Sequence, residues 1–179
     1  MLIILTNFLS LIDCQRCQIS LCDRERPSVF KRVFDLQRED LTKELEAPYE
    51  NRLPLKGDIS ESVAISGQKI NLGKDQLLDD EECHSFLSLA IRDPDGIVGV
   101  ISLANKEAVT SDTSENTETS KCIFTNNDER FVEAFAVFCG MAIRNAADYE
   151  VCNLQKIVPC TLIDTYIFFY MFISEGSRL

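Results

Sequence analysis

Thiol and imidazole side chains are the first candidates for chemistry in this chain of 179 residues. Cys14 and Cys17 have the Cys-x-x-Cys spacing that zinc sites and redox-active dithiols use. A zinc site needs a second Cys or His pair at similar spacing, and the single histidine, His84, belongs to no such pair. The sequence therefore predicts no metal site. The 8 cysteines show no repeated spacing, so we expect reduced thiols.

Catalysis is restricted by the same shortage of ligands and bases. Hydrolysis by a two-metal site requires several His and Asp ligands, and a cysteine nucleophile requires a base beside it. His84 directly follows Cys83, and adjacent side chains of a strand point to opposite faces of the sheet. We therefore expect no catalytic residue and no cofactor in this chain.

The charge balance restricts the partners. Lys and Arg number 18 against 29 Asp and Glu, which gives a net charge of -11 and disfavours nucleic acid. The first twelve residues lack a basic region and a cleavage site, which argues against a secretory signal. The apolar stretch 157–173 is interrupted by Pro159 and Asp164, which makes a membrane span an unfavoured interpretation. We expect a cytoplasmic location.

Hydrophobic spacing and turn residues predict the elements that must position any site. Helices are predicted at 4–12, 58–67 and 128–149, and strands at 17–23, 28–35, 69–72, 86–92 and 97–104. Asp58 with Glu61 and Asn126 with Glu129 have the spacing of capping boxes, and Gly67 suits a left-handed helix end. The order of elements indicates the α+β class, with an antiparallel sheet covered by helices.

One domain is expected over residues 1–155. Within it, 37–56 is loop-like, and the polar stretch 107–122 is predicted to be a mobile surface insertion because it cannot bury enough apolar surface to fold. Residues 156–179 form an apolar tail, whose role the sequence leaves open.

A signature follows the last predicted strand. Asn105-Lys106 ends the run that begins at Gly99, and Phe124-x-x-x-Asp128-Glu129 comes after the polar stretch. This pattern resembles the signature of the GAF domains of cyclic-nucleotide phosphodiesterases. The resemblance extends over about 9–150 and is greatest to the second GAF domain of the cyclic-GMP-binding phosphodiesterases. It implies a structural ion pair between Lys106 and Asp128.

The resemblance also implies a ligand, a purine cyclic nucleotide, with cyclic GMP favoured over cyclic AMP. Phe34 would stack on the base or form a wall beside it, and Asp35 would hydrogen-bond the edge of the base. The backbone N–H groups of Ile59 and Ser60 would meet the cyclic phosphate, since helix N-termini favour anions.

Two departures from the family pattern affect this expectation. Gln18 and Ser102 replace a smaller hydroxyl and an acidic or amide group respectively, so we expect base recognition to differ. The segment between Asn71 and Phe86 is about ten residues shorter than the usual pattern, so the family's lid is not recognisable.

Three hypotheses follow. In the first, the chain is a regulatory module that binds a cyclic nucleotide and controls a phosphodiesterase catalytic domain encoded elsewhere in a longer protein. In the second, it is a ligand-free dimerisation module that pairs through the helices over 2–12 and 128–152. A third, a GAF-fold sulfoxide reductase, requires a cluster of reactive cysteines, and Cys83 alone does not provide one.

Overall fold

A six-stranded antiparallel sheet organises the part of the chain that the computed structural model describes, residues 2–42, 49–50, 53–77, 82–107 and 123–154. Its strands are β1 (Cys14–Cys22), β2 (Phe30–Gln37), β3 (Tyr49–Glu50), β4 (Ile70–Gly73), β5 (Ser85–Asp93) and β6 (Gly96–Lys106). The order across the sheet is β3-β2-β1-β6-β5-β4. The helices are α1 (Leu2–Ile12), α2 (Gly57–Ser66) and α3 (Asn126–Leu154). The predicted α+β class is therefore confirmed.

Alternate residues of each strand define two faces of this sheet. The helix-pair face lies under α1 and α3 and is formed by Cys17, Ile19, Phe34, Leu36, Leu87, Leu89, Ile91, Ile101 and Leu103. Phe8 of α1 joins the two helices there, with ring centroids 4.1 Å from Phe135 and 6.0 Å from Phe131 of α3. This face holds the main apolar core of the domain.

The opposite face, here the α2 face, lies under α2 and is mixed in character. Val63 and Ala64 of α2 pack on Cys22 and Val100, and Ile59 packs on a cluster that includes Phe86. Polar side chains occupy much of the remaining surface between these apolar clusters. The site is built on this face.

The predicted helix starts need correction. Gly67 ends α2 in the left-handed region at φ 67°, as expected. However, the residue before α2 is Lys56 at φ 50°, and no side chain caps this end, so the capping box of Asp58 is wrong. The capping box of α3 lies one residue earlier than predicted, because Asp128 N–H donates to Thr125 Oγ1 and Thr125 N–H donates to Asp128.

The long helix is confirmed, although its buried face is rotated slightly from the one expected. The helical spacing predicts Phe131, Phe135, Phe138 and Ala142 on the buried face, but only Phe135 is buried and the other three are half-buried. Among the described side chains of α3, the buried ones are Val132, Phe135, Ala136 and Cys139. Gly140 permits this packing, since a Cβ there would lie 1.9 Å from the carbonyl oxygen of Arg92 in β5.

Two short elements between β2 and α2 were not predicted, and two predicted segments lie outside the described residues. The short strand β3 and a 3-10 helix at Arg38–Thr42 lie in the stretch predicted to be loop. Residues 108–122 of the predicted insertion and the whole tail 156–179 lie outside the described part, so the boundaries of the domain remain a prediction. None of the described helices is both long and apolar enough to cross a membrane.

Candidate functional site

A row of buried polar side chains crosses the α2 face. Asp35, Gln18, Ser102 and Ser88 are successive cross-strand neighbours on β2, β1, β6 and β5. Their exposed fractions are 0%, 0%, 2% and 0%. Burying such groups costs free energy unless each finds a hydrogen-bond partner. We call these four residues the polar row, and its partners show what this face is built to hold.

Asp35 at one end of the row binds Arg16 through both carboxylate oxygens. Arg16 Nε donates to Oδ1 at 2.9 Å, and Arg16 Nη2 donates to Oδ2 at 2.7 Å. This hydrogen bonding to Asp35 raises the pKa of Arg16 above its ordinary value. The Asp35 side chain is fully buried, whereas Arg16 remains 30% exposed, so the guanidinium connects the row with the surface.

Gln18 holds a backbone segment that crosses the row. Its Nε2 donates to the carbonyl oxygen of Leu53 at 3.2 Å, and its Oε1 accepts from the N–H of Leu55 at 2.6 Å. We call Leu53–Lys56 the strap. The Leu53 side chain is 86% exposed, so the strap is bound here through its backbone.

Serine hydroxyls complete the row and join it to α2. Ser60 Oγ donates to the carbonyl oxygen of Leu55 at 2.8 Å and lies 3.4 Å from Ser102 Oγ. Ser102 Oγ in turn lies 3.1 Å from Ser88 Oγ. The strap, the first turn of α2 and the polar row are therefore one hydrogen-bonded unit.

The start of α2 differs from the predicted phosphate site. The N–H groups of Ile59 and Ser60 both donate to the carbonyl oxygen of Lys56 at 2.9 Å. They are thus engaged within the helix, and the prediction that they are available to a phosphate is wrong for this structure.

Phe34 does not lie with the other predicted ligand residues. It pairs with Ile19 across β1 and β2, is 7% exposed and belongs to the helix-pair core. Asp35 follows it directly, and successive side chains of a strand point to opposite faces. The expectation that Phe34 and Asp35 line one cavity is therefore wrong. The other five residues, Gln18, Asp35, Ile59, Ser60 and Ser102, do meet at the α2 face.

A cleft of about 430 Å³ opens beside the strap. Arg16, Leu55 and Ala104 line it on the side of the α2 face, with Cys83 and Asn105 further along. Its lining contains none of the six predicted ligand residues, although Arg16 and Leu55 bond directly to Asp35 and Gln18. Sequence reasoning missed Arg16 as a site residue. Its position two residues before Gln18 on the same strand was the available signal.

Asn105 and Lys106 connect elements rather than line the site. Asn105 adopts a left-handed φ of 60°, which asparagine tolerates better than most residues. Its Oδ1 accepts from the N–H of His84 at 3.0 Å, and its Nδ2 donates to Gln15 and to the carbonyl of Glu82. This side chain therefore links the residues just before β5 to the start of β1 and the end of β6.

The predicted ion pair is confirmed. Lys106 Nζ lies 2.9 Å from Asp128 Oδ1, and the two side chains are only 14% and 13% exposed. Lys106 Nζ also donates to the carbonyl oxygen of Ile12. The pair therefore links the end of α1, the end of β6 and the beginning of α3.

Glu129 and Phe124 fix β4 against the start of α3. Asn71 Nδ2 donates to Glu129 Oε1 at 2.7 Å and to the carbonyl oxygen of Phe124 at 2.9 Å. Lys69 Nζ lies 2.7 Å from Glu129 Oε2. The ring of Phe124 is buried in the main core. These contacts give the signature a structural role.

Five cysteines are buried free thiols: Cys14, Cys17, Cys22, Cys83 and Cys139. Desolvation raises the pKa of Cys14 and of Cys139 to about 12, and it raises the pKa of Cys17 well above its ordinary value. Thiols in this state are poor nucleophiles and poor metal ligands. Within the described ranges, no three His, Cys, Asp or Glu side chains are placed to hold a metal ion.

These features define an α+β domain with an apolar core on one face of its sheet and a buried polar site on the other. A sequence profile of the GAF domain matches residues 3–143. The chain therefore belongs to the GAF domain family, and the resemblance seen in its signature is confirmed.

Two relatives share most of this chain. The Drosophila melanogaster protein named dual 3',5'-cyclic-AMP and -GMP phosphodiesterase 11 is 40% identical over 162 residues, which cover 82% of this chain and 10% of the relative. The Caenorhabditis elegans protein named probable 3',5'-cyclic phosphodiesterase pde-5 is 25% identical over 155 residues, 78% of this chain and 19% of the relative. The chain thus spans a tenth to a fifth of the length of these relatives.

Solved structures agree on the fold. The GAF domain from an Acinetobacter phosphoenolpyruvate-protein phosphotransferase superposes with a TM-score of 0.52 at 15% identity, covering 83% of this chain and 82% of that one. The GAF domain of a Bacillus halodurans sensor histidine kinase gives a TM-score of 0.51 at 15% identity, covering 84% and 97%. At such identity the likeness shows the fold alone.

Proposed function

We propose that this chain is the regulatory module of a cyclic-nucleotide phosphodiesterase and that it binds a purine cyclic nucleotide at the α2 face. Cyclic GMP is the favoured ligand. The module would control a catalytic domain that lies elsewhere in a longer protein. The names of the two relatives support this assignment, and the polar row provides the physical argument for a ligand.

The observation that carries the proposal is the burial of the polar row. Four polar side chains in one line across four strands bring a desolvation cost that apolar residues would avoid. Among the described residues of the same strands, the helix-pair face is packed with apolar side chains, and its one buried serine, Ser85, lies at the start of β5. A face that keeps several convergent hydrogen-bonding groups under cover is typical of a small-molecule site.

The chemistry of Asp35 favours a guanine base. An ionised carboxylate only accepts hydrogen bonds. The Watson–Crick edge of guanine presents two neighbouring N–H donors, whereas that of adenine presents an acceptor beside a donor. Arg16, which already orients Asp35 through two hydrogen bonds, would hold the carboxylate in place for this contact.

The space for such a ligand adjoins the row. The cleft beside the strap is within the size range of small-molecule pockets, about 300–1,000 Å³. Arg16 at its wall uses two N–H groups on Asp35, and its remaining N–H groups can donate to a polar group of the ligand. We infer that the ligand enters through this cleft and reaches the polar row beneath α2.

Calorimetric titration of the purified chain with cyclic GMP and with cyclic AMP tests the proposal. Asp35→Ala should weaken cyclic GMP binding about five- to a hundredfold, because a buried hydrogen bond to a charged group is lost. Phe34→Leu is the matched control, since it alters the adjacent residue on the opposite face and should leave the affinity unchanged. Absence of binding by the wild-type chain to either nucleotide contradicts the proposal.

A second function, dimerisation without a ligand, is favoured by a different observation. Val137 and Met141 on α3 and Leu11 on α1 are 59%, 42% and 47% exposed. Large apolar side chains exposed on two neighbouring helices suit contact with a second copy. Sedimentation velocity distinguishes the hypotheses: a dimer that binds neither nucleotide supports this function, and a monomer across the micromolar range excludes it.

A further inference from the structure

The strap occupies the hydrogen-bonding groups that a ligand would need. Gln18 donates one amide N–H to the carbonyl oxygen of Leu53 and accepts from the N–H of Leu55, both on the strap backbone. Ser60 uses its hydroxyl proton on the strap as well, at the carbonyl oxygen of Leu55. The centre of the polar row is therefore satisfied by the chain itself.

We propose that the strap is an intramolecular competitor for the ligand, so that a nucleotide base and the strap bind Gln18 alternately. This inference rests on the proposed function and adds a regulatory step to it. The ligand does not enter a preformed pocket at the polar row. It replaces a peptide segment that already fills one.

The pattern of donors and acceptors supports the exchange. The strap offers Gln18 one carbonyl acceptor and one N–H donor, and a purine edge offers glutamine the same pair. While the strap is bound, Gln18 is 0% exposed, so its remaining amide N–H and lone pair are closed to a base. A base bound to Gln18 therefore requires the strap to leave.

Release of the strap also changes the start of α2. The carbonyl oxygen of Lys56 accepts the first two hydrogen bonds of the helix, and Lys56 itself is held at φ 50°, a region that non-glycine residues adopt uncommonly. Movement of Leu55 would relax Lys56 and disengage Ser60 from the strap. Ligand exchange at Gln18 is thus coupled to the first turn of α2.

Pro54→Gly tests the competition without altering a residue of the polar row. Glycine gives the released strap more conformational freedom than proline does, so the bound strap becomes less favourable. We expect the variant to bind cyclic GMP about two- to tenfold more tightly than the wild-type chain. Pro27→Gly, the same change in the β1–β2 connection, is the matched control. It should lower stability and leave the affinity unchanged.

Hydrogen exchange at the Leu55 amide supplies a second measurement. This N–H should be protected in the wild-type chain without nucleotide and should exchange faster at saturating cyclic GMP. Tighter binding by Pro54→Gly than by the wild-type chain, together with faster exchange at Leu55, supports the inference. Wild-type binding with Leu55 still protected, or with no gain in Pro54→Gly, overturns the inference and leaves the proposed function standing. If neither protein binds a nucleotide, both the inference and the proposed function are overturned.

Discussion

The two faces of the sheet are made from the same strands and have opposite characters. On the helix-pair face, alternate residues such as Ile19, Phe34 and Ile101 pack into an apolar core under α1 and α3. On the α2 face, their immediate neighbours Gln18, Asp35 and Ser102 are as deeply buried but polar. One face is built for packing. The α2 face forms hydrogen bonds that depend on the position of the strap and of α2.

This difference separates stability from function along each strand. A change on the helix-pair face acts through cavity formation and should affect the whole fold. A change on the α2 face acts through the loss of particular hydrogen bonds and should affect the strap and any ligand. Substitutions at matched positions on the two faces test whether this difference holds.

The largest effect is expected at Phe8. Phe8→Ala should lower the free energy of unfolding by about 3–5 kcal/mol, because it leaves a cavity where α1 meets Phe131 and Phe135 of α3. Urea denaturation measures the loss. Leu11→Ala on the same helix is the control, since Leu11 is 47% exposed. Equal losses at both positions would show that α1 is not anchored through Phe8.

A smaller effect is expected at Gln18. Gln18→Leu keeps the side chain's size but removes the partners of Leu53 and Leu55, which should cost about 1–3 kcal/mol. Unlike the change at Phe8, it should also abolish the protection of the Leu55 amide against hydrogen exchange. Gln68→Leu, at an exposed glutamine, should change the stability by no more than about 0.5 kcal/mol. An unchanged Leu55 amide would show that Gln18 does not hold the strap.

The sequence predicted the sheet and its helices because their signals are periodic. Alternation along the strands and the 3.6-residue repeat of α3 locate those elements to within a few residues. The same alternation predicts that Phe34 and Asp35 point to opposite faces. The family resemblance assigned both to one pocket, and the geometry of the strand decides against it.

The strap lay beyond sequence reasoning for a physical reason. Residues 53–56 have no periodic pattern, and their position depends on hydrogen bonds to Gln18, which is far away in the sequence. The contact between Arg16 and Asp35 could have been predicted more easily from the sequence. Once β1 and β2 are paired, Arg16 and Asp35 lie diagonally on one face, within reach of a long side chain.

The smallest effect is expected where the helix-pair side of β4 carries a polar group. Asn71 pairs with Leu87 but bonds to Glu129 and to the carbonyl of Phe124 at the start of α3. The hydrogen bonds from Lys69 and then Asn71 hold the pKa of Glu129 below its ordinary value of 4.5. Because the folded state favours the ionised form, Glu129 stabilises the fold above pH 4.5. That contribution is lost as the pH falls through the lowered pKa.

Glu129→Gln should therefore cost about 1 kcal/mol at pH 7, and the difference from the wild-type chain should shrink below pH 4.5. Thermal unfolding between pH 7 and pH 3 measures both values. Glu133→Gln is the control at pH 7, because Glu133 also binds Lys69 but is 46% exposed and should contribute less. A difference that stays constant down to pH 3 would mean that Glu129 acts through its shape rather than its charge. Its contact with Asn71 would then be part of the packing that characterises the helix-pair face.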